Sequence, residues 1–152
     1  MKTFLDSAVT ADTVNRLRRL QPSAARLWGK MNAHQMVCHL GDSFRLGLGE
    51  RDASPASGVL QRTVLKTIAL RLPLPWPKGI QTRPEVDQQL GGTPPVEFAT
   101  DKFELIATIG RFARSGRDFQ FAIHPFFGAM SEWEWMRWGY LHADHHLRQF
   151  GL

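Results

Sequence analysis

The sequence predicts an all-α fold: a four-helix bundle with one extra short helix and a long Pro/Gly-rich loop between the second and third bundle helices. Three observations predict it. Two segments open with a capping box, Asn32 with Gln35 and Ser131 with Glu134, the local signature of a helix start. Four segments carry apolar residues at three- and four-residue spacing, and none alternates apolar and polar as a half-buried strand would. Four amphipathic helices are most simply buried by packing antiparallel around one core.

Taken in order, residues 10–20 (TADTVNRLRRL) set Val14, Leu17 and Leu20 at helical spacing, and Pro22 ends the segment. LWGKM, residues 27–31, is a connection anchored by Trp28 and Met31. The second helix starts after Asn32. Met36, Val37, Leu40, Phe44 and Leu48 form its apolar stripe, and Gly49 is its stop. His39 falls beside that stripe, where Asp42 three residues on can orient it. His34 lies about 140° away round the helix and does not easily share a site with His39. Residues 50–57 read as a loop, and Ser57 or Gly58 opens a shorter helix, VLQRTVLKTIALRL, with Val59, Leu60, Val64, Ile68 and Leu72 available for burial. PLPWPKGIQTRPEVDQQLGGTPP, residues 73–95, follows with six of the nine prolines. So long an irregular segment in a compact domain reads as a functional rim or interaction loop. Thr100 caps the next helix, DKFELIATIGRFARSG, whose inner side takes Phe103, Ile106, Ile109 or Gly110, and Phe112 or Ala113. Asp101 and Glu104 suit its positive end and Gly116 its stop. RDFQFAIHPFFGAM is an aromatic loop over one end of the core. His124, biased to an extended conformation by Pro125, holds that loop by a hydrogen bond. The last helix runs from Ser131 to Phe150 without a proline and stops at Gly151.

The length of 152 residues fits one domain, 1–152, with a real core, and the hydrophobic fraction of 43% is that of an ordinary globular chain. No apolar run approaches the roughly 18–20 residues that span a bilayer, and MKTFLDSAVTADT lacks the basic start and apolar centre of a signal peptide. Cys38 stands alone, so there is no internal disulfide framework, and a reducing cytoplasm is expected. Without a CxxC, any metal here takes nitrogen and oxygen ligands. The charge is +5 and the pI about 10.0. The basic residues come in small groups (Arg16, Arg18 and Arg19; Lys66 and Arg71; Arg111, Arg114 and Arg117) on separate helices. Solvated helix faces account for them better than a nucleic-acid surface. No nucleic-acid or membrane partner is expected, whereas an anionic small substrate stays compatible with the charge. No glycine-rich loop follows a strand, so nucleotide and redox cofactors find no support.

The last helix carries the functional signal. Residues four apart lie about 40° apart round the axis, so His142 and His146 project together, on a face shared with Trp135, Trp138, Gly139 and Gln149. His145 is displaced to the side. Two imidazoles do not close a metal site. Helix bundles build such sites from side chains on facing helices, and His39 on the second helix supplies the third ligand.

The run HQMVCHLGDSF around His39, followed about a hundred residues later by HADHHLRQ, resembles the DinB/YfiT-like superfamily. WGKMNAHQMVCHL, TRPEV, HPFFG and DHHLRQFGL together resemble one branch of it known only as a domain of unknown function. The resemblance covers most of the chain and implies a four-helix bundle holding a divalent metal ion, zinc or nickel before others, on His39, His142 and His146. His145 then becomes a helix-packing or pocket-rim group. Helices of the family often carry a Gly just before the Gln, where this chain has Arg148. Members act as thiol S-transferases or as a thiol-dependent isomerase with low-molecular-weight thiols, others are described as metal-dependent hydrolases, and many are homodimers. The resemblance therefore implies a thiol-dependent S-transferase on small molecules, with a low-molecular-weight thiol as co-substrate. The alternatives are a metal-dependent hydrolase, or a non-catalytic, stress-related binding or structural bundle. Hydrolysis calls for a carboxylate base beside the metal. Asp42 and Asp144 are the nearest in sequence, but Asp144 lies about 200° from His142 and points away.

Overall fold

The structure, a computed structural model, describes residues 1–56, 58–114, 116 and 118–152. Ser57, one of two expected starts of the short helix, and Arg117, in one of the basic groups, lie outside the described residues. Among the described residues five α-helices follow one another: α1 Ser7–Arg19, α2 Ala33–Gly47, α3 Lys66–Arg71, α4 Phe98–Ala113 and α5 Glu132–Gln149. A π-helical turn, Gln61–Leu65, leads into α3, and a 3₁₀ turn, Pro84–Val86, interrupts the segment between α3 and α4. Among the described residues there is no strand, only an isolated bridge between His124 and Gly128.

Both capping boxes form. Asn32 Oδ1 accepts from Gln35 N–H at 2.8 Å while Gln35 Oε1 accepts from Asn32 N–H at 3.0 Å. At α5, Glu134 Oε2 accepts from Ser131 N–H at 2.8 Å and Ser131 Oγ from Glu134 N–H at 3.3 Å. Two helices start earlier than their apolar patterns. Asp6 caps α1 by accepting from Ala8 N–H, so the helix begins before residue 10. α4 is capped by Glu97 rather than Thr100: the longer carboxylate reaches back to the free amides of Ala99 and Thr100, at 3.0 and 2.6 Å.

The main helix contacts run α2 to α4, α4 to α1, α1 to α5 and α5 to α2, a ring of four around one core. Met36, Val37, Leu40 and Phe44 of α2 fill it with Leu17 of α1, Leu105, Ile109 and Phe112 of α4, and Trp135, Met136 and Leu147 of α5. Phe112 is the wedge. A Cβ on Gly47 of α2 would sit 2.8 Å from its ring and one on Gly139 of α5 only 2.9 Å. Two glycines thus let three helices close on one aromatic ring, and truncating Phe112 to Ala costs roughly 3–5 kcal/mol.

Three expectations are corrected. Phe103 is 72% exposed, because α4 turns Leu105, Thr108, Ile109 and Phe112 inward and Phe103 lies about 200° round from Leu105. Val59, Leu60, Val64, Ile68 and Leu72 stay exposed, Val59 at 82%; the four long helices already close the core, and of the short helix only Leu70 enters it. Arg16 is not solvated: it pairs with Asp144 at 2.8 Å and donates to the Leu152 carbonyl at 3.0 Å, tying α1 to the end of α5. Among the described residues no helix is long and apolar enough to cross a membrane.

Candidate metal centre

The contact of α2 with α5 brings His39, His142 and His146 together. One nitrogen of each lies within 4.8 Å of the others, and the ring centroids are 5.1, 4.8 and 4.9 Å apart. His39 and His146 are buried and His142 is half-buried, so the cluster opens at His142.

Hydrogen bonds behind the rings fix which nitrogen faces the cluster. His39 Nδ1 lies 2.8 Å from the Val86 carbonyl, an acceptor, so Nδ1 carries the hydrogen and Nε2 keeps its lone pair. Gln149 donates its Nε2 to the Trp28 carbonyl at 2.7 Å, which turns its Oε1 toward His146 Nδ1 at 3.1 Å. That oxygen accepts, so His146 also presents a bare Nε2. Backing of this kind is what orients imidazoles around a metal. His142 Nε2 stands 3.2 Å from His39 Nε2; since the latter is a lone pair, the hydrogen between them belongs to His142. His142 Nδ1 is buried without a hydrogen-bond partner. A cation in place of that single hydrogen would meet three convergent imidazole nitrogens, so the residues present fit a metal ion. Gly29 belongs to this arrangement: its φ is +82°, and a Cβ there would collide with the Gln149 side chain.

Burial depresses the pKa of all three rings. His39 falls below its usual value, and His142 and His146 fall well below it, pushed further by the neighbouring histidines. The rings are therefore neutral, the form that ligates. Among the described residues no carboxylate joins the cluster. The expectation that Asp42 orients His39 is corrected, since the Val86 carbonyl does so. Asp42, fully buried, accepts from Thr93 N–H and Oγ at 2.8 and 2.6 Å and from Gln88 at 2.9 Å, with Arg51 at 3.2 Å, and so pins the long loop to α2. Asp144 points away, held by Arg16 and by Arg148 at 2.9 Å.

Aromatic rings wall the cluster. Trp138 lies 4.9 Å from His142, and Trp76 from the long loop lies 6.0 Å from His142 and 6.3 Å from His145. Trp76 is held by donating Nε1–H to the Ala69 carbonyl at 3.0 Å. His145 sits beside the cluster, its ring 4.6 Å from Trp28 and 5.2 Å from His146, its Nδ1 unpartnered, and its pKa pushed down to about 4 by burial. His124 is elsewhere. Its Nδ1 accepts from the amides of Phe126 and Phe127, both at 3.1 Å, so it holds the aromatic loop as expected, and burial lowers its pKa to about 3. His34 donates Nε2–H to Asp101 Oδ2 at 2.6 Å on the far face of α2. Sequence reasoning missed the Val86 carbonyl and Trp76, both on the irregular loop. It placed Gln149 on the right face without a role; the three-residue step from His146 was the signal available.

Over residues 2–151 the chain matches the family described as "Protein of unknown function (DUF1569)", and it belongs to that family. The expectation of a family known only as a domain of unknown function is met. No curated protein and no solved structure matches the chain.

Proposed function

We propose that His39, His142 and His146 hold a divalent metal ion, zinc or nickel before others, and that the protein is a metal-dependent enzyme acting on small molecules, with thiol-dependent S-transfer as its reaction. The observation that carries this reading is the convergence of three neutral imidazoles, two of them backed by acceptors that leave Nε2 free, at a place that no carboxylate joins among the described residues. A divalent metal there supplies Lewis acidity and lowers the pKa of a thiol that binds it. The chain does the rest. His39 and His146 are held in the ligating tautomer, Trp76 and Trp138 exclude water from one side of His142, and the half-buried edge of His142 leaves a way in. Thiol transfer is preferred over hydrolysis because it needs no separate carboxylate base, and Asp42 and Asp144 are both engaged elsewhere.

The ring of four long helices with α3 outside it supports a DinB-like four-helix bundle as the wider kinship, one domain over 1–152, with a homodimer and a cytoplasmic location as companion expectations. The test is to load the protein, free of any histidine tag, with zinc or nickel and incubate it with a panel of low-molecular-weight thiols and a chlorinated aromatic electrophile. Thiol consumption above the metal-free control is expected. Cleavage of an ester or amide panel without thiol consumption would install the hydrolase reading instead. Neither activity would leave a binding or structural bundle.

A further inference from the structure

We propose a second metal site on another face of α2, built from His34 and Cys38 of α2 and Asp101 of α4, for a zinc-type divalent cation. His34 and Cys38 are four residues apart and so share a helix face. Asp101 stands in the first turn of α4, which packs against that face. Its Oδ2 lies 2.6 Å from His34 Nε2 and 3.7 Å from Cys38 Sγ, and the three donor atoms all lie within 4.8 Å of one another. The same oxygen also accepts from Val96 N–H at 3.1 Å. Two hydrogens, one from an imidazole and one from a thiol, therefore point at one carboxylate oxygen, at a spot where a single cation would take all three groups as ligands.

The surroundings suit this. Cys38 is buried, whereas the His34 and Asp101 side chains are 22% and 18% exposed, so an ion and a completing water have a route in from solvent. The Phe98 ring, edge-on at 5.4 Å, fixes the plane of His34. Thiolate, imidazole and carboxylate together form a borderline-soft donor set that suits zinc, and the lone cysteine thereby adds sulfur to the nitrogen and oxygen ligands expected from the absence of a CxxC. Binding forms metal bonds to Sγ, Nε2 and Oδ2, releases the Cys38 thiol proton to solvent and moves the His34 hydrogen from Nε2 to Nδ1. The two anionic ligands cancel the charge of the dication. The site thereby links the first two turns of α2 to the first turn of α4. It does not depend on the histidine cluster around His39.

Cys38 is the chain's one cysteine, which gives a clean experiment. Reduced, metal-stripped protein is titrated with cobalt(II), and the near-ultraviolet thiolate-to-cobalt charge-transfer band is followed. The wild type is expected to take up two equivalents, one of them with the band. Cys38→Ser abolishes the band and keeps the other equivalent; His39→Ala keeps the band and loses the other; Asp101→Asn and His34→Ala weaken the band's titration at least tenfold. A cobalt-saturated wild type without a thiolate band overturns the proposal. So does a band that is lost in His39→Ala and kept in His34→Ala, since the thiolate would then belong to the other cluster. If a variant fails to fold, alkylation of Cys38 in the wild type decides: zinc is expected to slow it at least tenfold, and an unchanged rate overturns the site.

Discussion

Helix α2 presents metal-ligand side chains on two faces, and the two sets differ in charge. On one face His39 meets His142 and His146, three neutral imidazoles that no carboxylate joins among the described residues. On the other, His34 and Cys38 meet Asp101, a set with a carboxylate and an ionisable thiol. A dication on the first keeps its full charge and can polarise whatever small molecule reaches it past His142. A dication on the second is neutralised by its two anionic ligands and fastens α2 to α4. Both sets have three protein ligands and a side reached by solvent, so the charge of the donors is what separates them. The thiol itself makes the point. Burial first, and then the Asp101 carboxylate, push the Cys38 pKa up to about 12, so without a cation it is an inert SH group.

The largest effect expected is from removing a ligand of the first set. His39→Ala, His142→Ala and His146→Ala should each weaken metal binding there by more than about a hundredfold, beyond the range typical of groups that only back a ligand. The thiol-transfer activity should fall to the metal-free level. His145→Ala should leave the metal content of this set intact, because its ring faces Trp28. Metal analysis after dialysis checks both. If His145→Ala strips the metal while His146→Ala does not, the α5 ligand pair is i, i+3, His142 with His145.

A smaller loss is expected from the backing of His146. Gln149→Ala removes the acceptor at its Nδ1, and Gly29→Ala drives a Cβ into Gln149 while forcing an alanine to φ +82°. Each should weaken the histidine set by about 10- to 100-fold and leave the Cys38 set unchanged. Competition against a chelator of known affinity measures it. An equal loss at both sets would mean the change acts through α2 as a whole.

Acid should act through the buried histidines. His124 is neutral when folded, with a pKa near 3, whereas the unfolded ring titrates near 6.5. Between those values the unfolded chain binds more protons, so stability rises with pH across the window. It is complete above about pH 6.5 and is lost as pH falls toward 3. His39, His142 and His146, with pKa values also lowered by burial, add to the same slope. Metal on the three rings blocks their protonation, so chelation should move the acid transition to higher pH. Urea midpoints measured from pH 7 to pH 4, with and without chelator, give the result; a midpoint flat with pH would contradict the buried neutral state.

How much of this was legible depends on whether the cause was local. The starts of α2 and α5 could be read because a capping box is complete within four residues. The histidine set could be read because two of its members sit one turn apart and the third lies beside the facing helix's apolar stripe. The Val86 carbonyl could not, being a backbone acceptor 47 residues from His39 with no side-chain signature. Glu97 was overlooked because a glutamate is not among the usual capping residues, and only its reach to two amides reveals it. The exposure of Val59, Leu60 and Val64 is a property of the whole fold, since the core has no room for a fifth apolar face. His34 was weighed against His39 alone, and its partner Asp101, 67 residues away, appears only once α4 is in place.

The smallest effects come from the two caps, and they sharpen the comparison because the caps lie at different distances from the two sets. Asn32→Ala and Ser131→Ala each remove one side-chain acceptor from a helix start, at a cost of about 1 kcal/mol each. Thermal midpoints should drop together, by a few degrees at a chain of this size. Metal binding should not. Asn32 is two residues before His34, so fraying the first turn of α2 loosens the donor pair on that face. Its cobalt(II) thiolate band should then need several-fold more metal, with the histidine set almost unaffected. Ser131 lies three turns before His142, and the intervening turns are buried with Trp135 and Trp138. Its loss should lower stability without moving either titration. Equal stability losses with unequal metal affinities would show that the His34 and Cys38 pair depends on the helix end, while the His39 cluster is held by the core.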